Sequence, residues 1–405
     1  MIADWPPADP TDVARAVADS VVLRADAGAR AANPYYWHRA QPLLAAVLAE
    51  VDALGDAALS GAVEDLLADP RDPAGWARVR KLVAALDGPD RPELRRAAGE
   101  VRRRSRFGYH VGADYEPTTG AGDGWRSWPA TAPPRAAGTA PVVNVVIPFR
   151  DRSADGRRAR NLAACLVALN DQTMARERYQ VTVVESDDTP RWRELVRRHA
   201  DEHLAAPSAG PFNKCWAVNV GACHTERPAP VLCVLDADAL VDRDFVRRNA
   251  ERFRRDGTGA FLPFRDLFYV DGPASARAVE DRCVAGRPDA ATERLRGFLV
   301  HRAPGVCLWL RRDVFEAVGG MDERFEGWGR EDLDFVLRVQ LATAFDIYSD
   351  RMLHLHHPSP VELTGGETVT PASRCCPGRR PARSAGRTAT RGAADAAPPA
   401  GRVGS

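Results

Sequence analysis

No stretch of the 405 residues reaches the roughly 20 consecutive apolar side chains that span a bilayer. The opening MIADWPPADPTD has neither the basic start nor the apolar centre of a secretion signal. A cytoplasmic location is the expectation these absences give. Charge of one sign is also missing, since 56 Lys and Arg stand against 55 Asp and Glu. A formal charge of +1 excludes whole-chain attraction to nucleic acid or to an anionic membrane. The eight cysteines contain no CxxC pair. Most sit in apolar segments, where a thiol serves as a small buried hydrophobe, so reduced structural cysteines are expected.

What is present divides the chain. In residues 1–110 strand-like alternation is absent and apolar side chains recur at helical spacing: Leu44, Val47, Leu48 and Val51, then Trp76, Val79, Leu82, Val83 and Leu86. This predicts a small helical region, with no catalytic constellation, that shields the edge of a sheet, docks a partner or binds an acceptor. Residues 111–140 turn to Gly, Pro, Thr and Ala and read as a linker. Residues 141–363 alternate strand and helix patterns, beginning with the buried-strand run VVNVVIP at 142–148 and continuing through strands near 180–185 and 231–235. A mostly parallel sheet flanked by helices follows, with ligands expected beyond the C-terminal strand ends. Within this domain, 271–304 offers few anchors and reads as an acceptor-side loop or a surface excursion. Residues 364–405 read as a disordered basic tail, with seven arginines and one acid from Thr368 onward.

Three segments carry chemistry. The strand at 231–235 runs into Asp236-Ala237-Asp238. In an extended chain, carboxylates two apart point the same way and can share a hard divalent cation; solvated or capping aspartates are the alternative. Far downstream, His354, His356 and His357 precede Pro358. A neutral imidazole there could complete the coordination, and a nitrogen ligand favours Mn²⁺ over Mg²⁺. A zinc site lacks supporting cysteine spacing, whereas solvent-facing histidines are the plain alternative. The third segment, GGMDERFEGWGREDLDF at 319–335, sets Trp328 among glycines and opens a helix with acids. Helix capping explains acids in a first turn; it does not explain an aromatic slab beside close-approach glycines.

GGMDERFEGWGREDLDF resembles the GG(x)D…WGxED signature of GT-A glycosyltransferases, notably β-1,4-galactosyltransferases and bacterial family 2 enzymes. Ile147-Pro148-Phe149-Arg150-Asp151-Arg152 resembles their IPFRxR first-strand segment, and Phe212-Asn213-Lys214 with Asn219-Val220-Gly221 resembles FNRAxxLNVG. The resemblance spans about 220 residues and covers neither the helical region nor the tail. It implies a Rossmann-like GT-A sheet, a nucleotide-sugar donor, UDP-sugar in the first place, and a sugar or small-molecule acceptor. Arg150, Arg152, Phe212 and Lys214 would hold the donor, with Lys214 standing where the galactosyltransferases have arginine. Asp238 with His354, and His357 or His356 behind it, would bind Mn²⁺ or Mg²⁺, and Asp236 would touch the cation or the ribose. Gly305 and Trp328 would meet the sugar or acceptor. Asp332 would be the general base and Glu331 would orient acceptor hydroxyls. Transfer with inversion is the implied reaction. A retaining hexosyl- or N-acetylhexosaminyltransferase, or a non-catalytic sugar-binding protein, is the alternative. A sugar-1-phosphate nucleotidyltransferase would need a GxGxR loop after the first strand, which PFRDRSADG lacks.

Overall fold

The computed structural model describes residues 12–86, 91–117, 123–130, 140–327 and 329–357, together with short strands at 363–364, 367–368 and 390–391. Six helices open it, Val13–Ala25, Ala27–Ala32, Pro34–Ala53, Ala57–Ala68, Pro73–Leu86 and Pro92–Arg104. Asp12, Asp26, Asn33 and Asp56 each cap a helix by accepting a hydrogen bond from a first-turn backbone N–H. Of the stripes expected from spacing, Leu44, Val47, Val51, Val79 and Val83 are buried, and Leu48, Trp76, Leu82 and Leu86 are partly buried against the same core.

Twelve strands follow in chain order: β1 (Phe107–Val111), β2 (Val143–Phe149), β3 (Tyr179–Glu185), β4 (Glu202–Ala205), β5 (Val231–Leu235), β6 (Ala239–Leu240), β7 (Ala260–Leu262), β8 (Asp266–Val270), β9 (Arg296–His301), β10 (Cys307–Arg311), β11 (Phe345–Ile347) and β12 (Met352–His354). The main sheet runs β11-β7-β10-β5-β2-β3-β4 and continues to the strand at 390–391. β2, β3, β4 and β5 are mutually parallel, and β10 is antiparallel to both β5 and β7. β2, β3 and β5 are buried along their whole length, as expected where helices cover both faces. Strand order reverses between β2 and β5, so a crevice opens beyond Phe149 and Leu235.

A second sheet, β1-β9-β8-β12-β6, carries the helical region. Its key pairing is short: β12 lies antiparallel to β6, with His354 opposite Ala239. That register closes a loop of more than a hundred residues and lays the histidine segment against the DAD turn. Residues 271–304, which sequence alone leaves as loop or surface excursion, contain helix Gly272–Val279 and the central strand β9. The strand is masked in the sequence because Arg296, a buried cation, opens it. Parts of the expected linker are packed: Tyr115 is buried and its hydroxyl donates to Asp271 Oδ2 at 3.1 Å, and Trp125 lies against Trp192 with ring centroids 6.3 Å apart. The expected tail lies outside the described residues except for its strand positions. Among the described residues every cysteine is free, and no helix is long and apolar enough to cross a membrane.

Candidate active site

The chain leaves β5 at Leu235 and turns at once. Asp236 N donates to Val306 O at 2.8 Å, and the Asp236 carbonyl accepts from Ala239 N at 3.2 Å. Because 236–238 is a turn and not extended strand, the two aspartates do not share a direction. Asp238 faces the histidine segment: its Oδ2 is 2.9 Å from His357 Nε2 and its Oδ1 is 3.4 Å from His354 Nε2. Ligand atoms of Asp238, His354 and His357 all lie within 4.8 Å of one another. Backbone bonds fix the trio, since Leu355 N donates to Asp238 O at 2.8 Å and buried Asn161 donates to the carbonyls of Leu355 and His356 at 3.5 and 3.3 Å. His356 is not in the trio; its backbone N–H is held by Ser275 Oγ at 3.2 Å.

The trio fits a divalent cation. Asp238 Oδ1 is buried with no hydrogen-bond partner, a costly state for a carboxylate oxygen that a cation would relieve. Burial pushes the His354 imidazole down to about 4, so it is neutral at physiological pH with a lone pair available. One carboxylate and two imidazoles suit Mn²⁺ better than Mg²⁺.

Asp236 turns the other way, to Lys214. The Lys214 ammonium sits 2.7 Å from Asp236 Oδ1 and 3.0 Å from the Asp332 carboxylate. Burial works against that ammonium, but the two carboxylates outweigh it and hold its pKa well above the usual lysine value. Burial, reinforced by Asp332 and Asp238, pushes Asp236 up to about 7 despite Lys214. Burial and neighbouring Asp332 likewise raise Glu331 to about 7.

Asp332 stands in the first turn of helix Glu331–Ala342, entered through Arg330 at φ 75°. Gly305 lies behind it: a Cβ there would come within 2.2 Å of Asp332 Oδ2. Glycine at 305 is what lets the acid approach the β9–β10 loop. The motif segments brace one another. Asn219 donates to Met321 O at 2.8 Å and accepts from Met321 N at 2.9 Å, Asn213 donates to Glu323 O at 2.7 Å, and Gly327 N donates to Phe212 O at 2.9 Å. Trp328 lies outside the described residues.

These side chains surround a cavity of about 580 Å³ at the β2/β5 switch point, within the range of small-molecule sites. Asp236, Asp238, Glu331, Asp332 and the two histidines line it.

Residues 144–319 match the family model described as Glycosyl transferase family 2, and residues 301–357 match the model described as N-terminal domain of galactosyltransferase. Together the two matches make residues 144–357 similar to glycosyltransferases. No curated protein matches it by sequence. Among solved structures it is similar to the mannosyltransferase PcManGT from Pyrobaculum calidifontis in complex with GDP-Man and Mn²⁺, with 17% identity, a TM-score of 0.36 and coverage of 57% of this chain. It spans 62% of that mannosyltransferase. The catalytic domain of Drosophila β1,4-galactosyltransferase 7 in complex with xylobiose is 16% identical, with a TM-score of 0.32 over 55% of this chain and 76% of that one. S. aureus TarS is 12% identical, with a TM-score of 0.38 over 53% and 36%.

Within the matched residues, the expected donor residues Arg150, Arg152, Phe212 and Lys214 all line the cavity. Their polar groups are already engaged. Arg150 donates to the carbonyls of Ser186, Gly210 (2.8 Å) and Ser208 (3.1 Å) and lies over the Phe212 ring, 5.6 Å from its centroid. Arg152 donates to the buried Asp187 at 2.6 Å. Both therefore clamp the loops that shape the cavity wall. Sequence reasoning missed Arg158 and Tyr269, which also line it. Arg158 had a readable signal: Arg157 and Arg158 open helix Arg157–Asn170 without an acid, against the helix dipole, which suits a site for an anion. Tyr269 had none, since only the β8–β12 register lays its ring on His354, 4.2 Å between centroids.

Proposed function

We propose that the chain transfers a sugar from a nucleotide-diphosphate sugar to an acceptor hydroxyl, with inversion, using Asp332 as general base. The observation that carries this reading is a single cavity holding both a cation-ligand trio, Asp238, His354 and His357, and a distinct carboxylate, Asp332, tethered through Lys214. Asp238, His354 and His357 would hold a Mn²⁺ or Mg²⁺ ion, whose positive charge would offset the charge developing on the departing diphosphate. Arg158, on the same cavity wall, adds a fixed cation for the phosphates. Asp332 accepts the acceptor's proton as the new C–O bond forms and the bond from the anomeric carbon to the phosphate breaks. One base on the face opposite the leaving group gives inversion. Glu331 and Trp328 are assigned to holding the acceptor, and UDP-sugars are the first donors to test.

A panel of nucleotide sugars, assayed for nucleoside diphosphate release with sugar acceptors, tests the reading directly. Release that requires both Mn²⁺ and acceptor is expected, and chelation should abolish it. Pyrophosphate release from nucleoside triphosphates instead would make the chain a nucleotidyltransferase, and binding without turnover would make it a sugar-binding protein.

Lys214 has two separable roles under this scheme. As the cation 3.0 Å from Asp332 it positions the base; as a phosphate contact it would hold the donor. Lys214→Met removes the contact that positions the carboxylate, so kcat should fall by up to about 10²-fold while donor KM changes little. A phosphate role alone predicts a raised donor KM with kcat in place.

A further inference from the structure

The helical region, where the sequence shows no catalytic constellation, reaches the cavity. Asp26 caps helix Ala27–Ala32 by accepting from Gly28 N at 2.7 Å, and the same carboxylate pairs with Arg296. Arg296, 1% exposed, also donates to Asp271 Oδ2 at 2.9 Å, Tyr109 Oη at 2.9 Å and the Pro70 carbonyl at 3.0 Å. One buried guanidinium thus fixes the start of the short helix to the second sheet. At the other end Asn33, 4% exposed, caps helix Pro34–Ala53 through Tyr36 N at 3.2 Å, and its side chain lies beside that of Tyr269. Tyr269 in turn packs on the cation ligand His354. Pinned at both ends, the segment places Ala31, Ala32 and Pro34 in the wall of the cavity.

Resting on the function proposed above, we infer that Ala31, Ala32 and Pro34 form the cation-side wall of the donor compartment and limit the bulk of the nucleoside diphosphate sugar it admits. The cation trio is the site for the diphosphate, because a divalent cation of this kind takes phosphate oxygens beside protein ligands. A wall separated from His354 by one tyrosine ring therefore meets the diphosphate or the groups attached to it. Its side chains are small, two methyl groups and a pyrrolidine ring, so the space is kept open by what these positions lack. The helical region is then a working part of the donor site, and a bulky side chain here closes space no other element can return.

Ala31→Trp and Ala32→Trp test this in the full chain, with Ala27→Trp, exposed on the same helix and outside the cavity lining, as the control. Ala31 is exposed, so its tryptophan displaces no core. Calorimetry with Mn²⁺ alone, then with Mn²⁺ plus UDP or GDP, should show unchanged Mn²⁺ affinity and at least ~10-fold weaker nucleotide binding in the Ala31→Trp and Ala32→Trp variants. The Ala27→Trp variant should match wild type, and thermal melts should coincide. Wild-type nucleotide affinity in both Ala31→Trp and Ala32→Trp overturns the inference. Wild-type chain that binds Mn²⁺ and UDP or GDP but turns over no donor overturns the transferase reading while the wall is still read by binding. No nucleotide binding by wild type overturns both.

Discussion

Asparagine in place of Asp332 is expected to lower sugar transfer by about 10²–10⁴-fold, the usual contribution of a positioned general base, while donor and Mn²⁺ bind as in wild type. The geometry makes this a clean substitution. Asparagine keeps the shape that Gly305 accommodates, and its amide oxygen can still accept from Lys214, which stays charge-paired with Asp236 at 2.7 Å. What is lost is the capacity to take a proton. Single-turnover transfer and donor calorimetry separate the two effects, and transfer at the wild-type rate would remove Asp332 from the mechanism. Glu331→Gln should cost less, because Glu331 is buried at the start of the helix whereas Asp332 is the more exposed of the two, and glutamine keeps the hydrogen-bonding shape of Glu331.

The parts legible in the sequence are those set by local pattern. The apolar runs near 142–148, 180–185 and 231–235 are the parallel strands β2, β3 and β5, because strands covered on both faces must be apolar throughout. The motif segments at 212–221 and 319–335 are recognisable because their backbones must interlock. Gly221, for example, lets its helix press on β2, where a Cβ would lie 2.4 Å from Val146. Pairing of distant short elements leaves no such trace. β6 and β12 are too short to show periodicity, yet their register brings His354 and His357 to Asp238. The turn at 236–238 is equally silent: alternation along a strand suggested two aspartates on one cation, whereas the turn sends Asp236 to Lys214. The same holds for β9, whose buried Arg296 breaks the apolar pattern, and for Ala31 and Ala32, whose small side chains carry no chemistry to notice.

The divergence of the two aspartates gives the second large effect. Asp238→Ala should weaken Mn²⁺ binding by about 100-fold or more, since even outer-shell partners of a metal site are worth 10–100-fold and Asp238 is the anionic ligand of the trio. Metal-dependent transfer should fall to background. Asp236 is badly placed to substitute, being held by Lys214 on the side away from the histidines. Folding is separated from ligation at this position, because the bond from Leu355 N runs to the Asp238 main-chain carbonyl and survives in alanine, so β12 stays against β6. Asp236→Ala makes the complementary measurement. It leaves the trio intact but frees Lys214 from one carboxylate, and it should spare most of the Mn²⁺ affinity while lowering donor turnover. If Mn²⁺ titrations showed the reverse order, with Asp236→Ala losing the ion and Asp238→Ala retaining it, the cation would have to sit between Asp236 and Asp332. Lys214 would then be a competitor for the metal and not a support for the base.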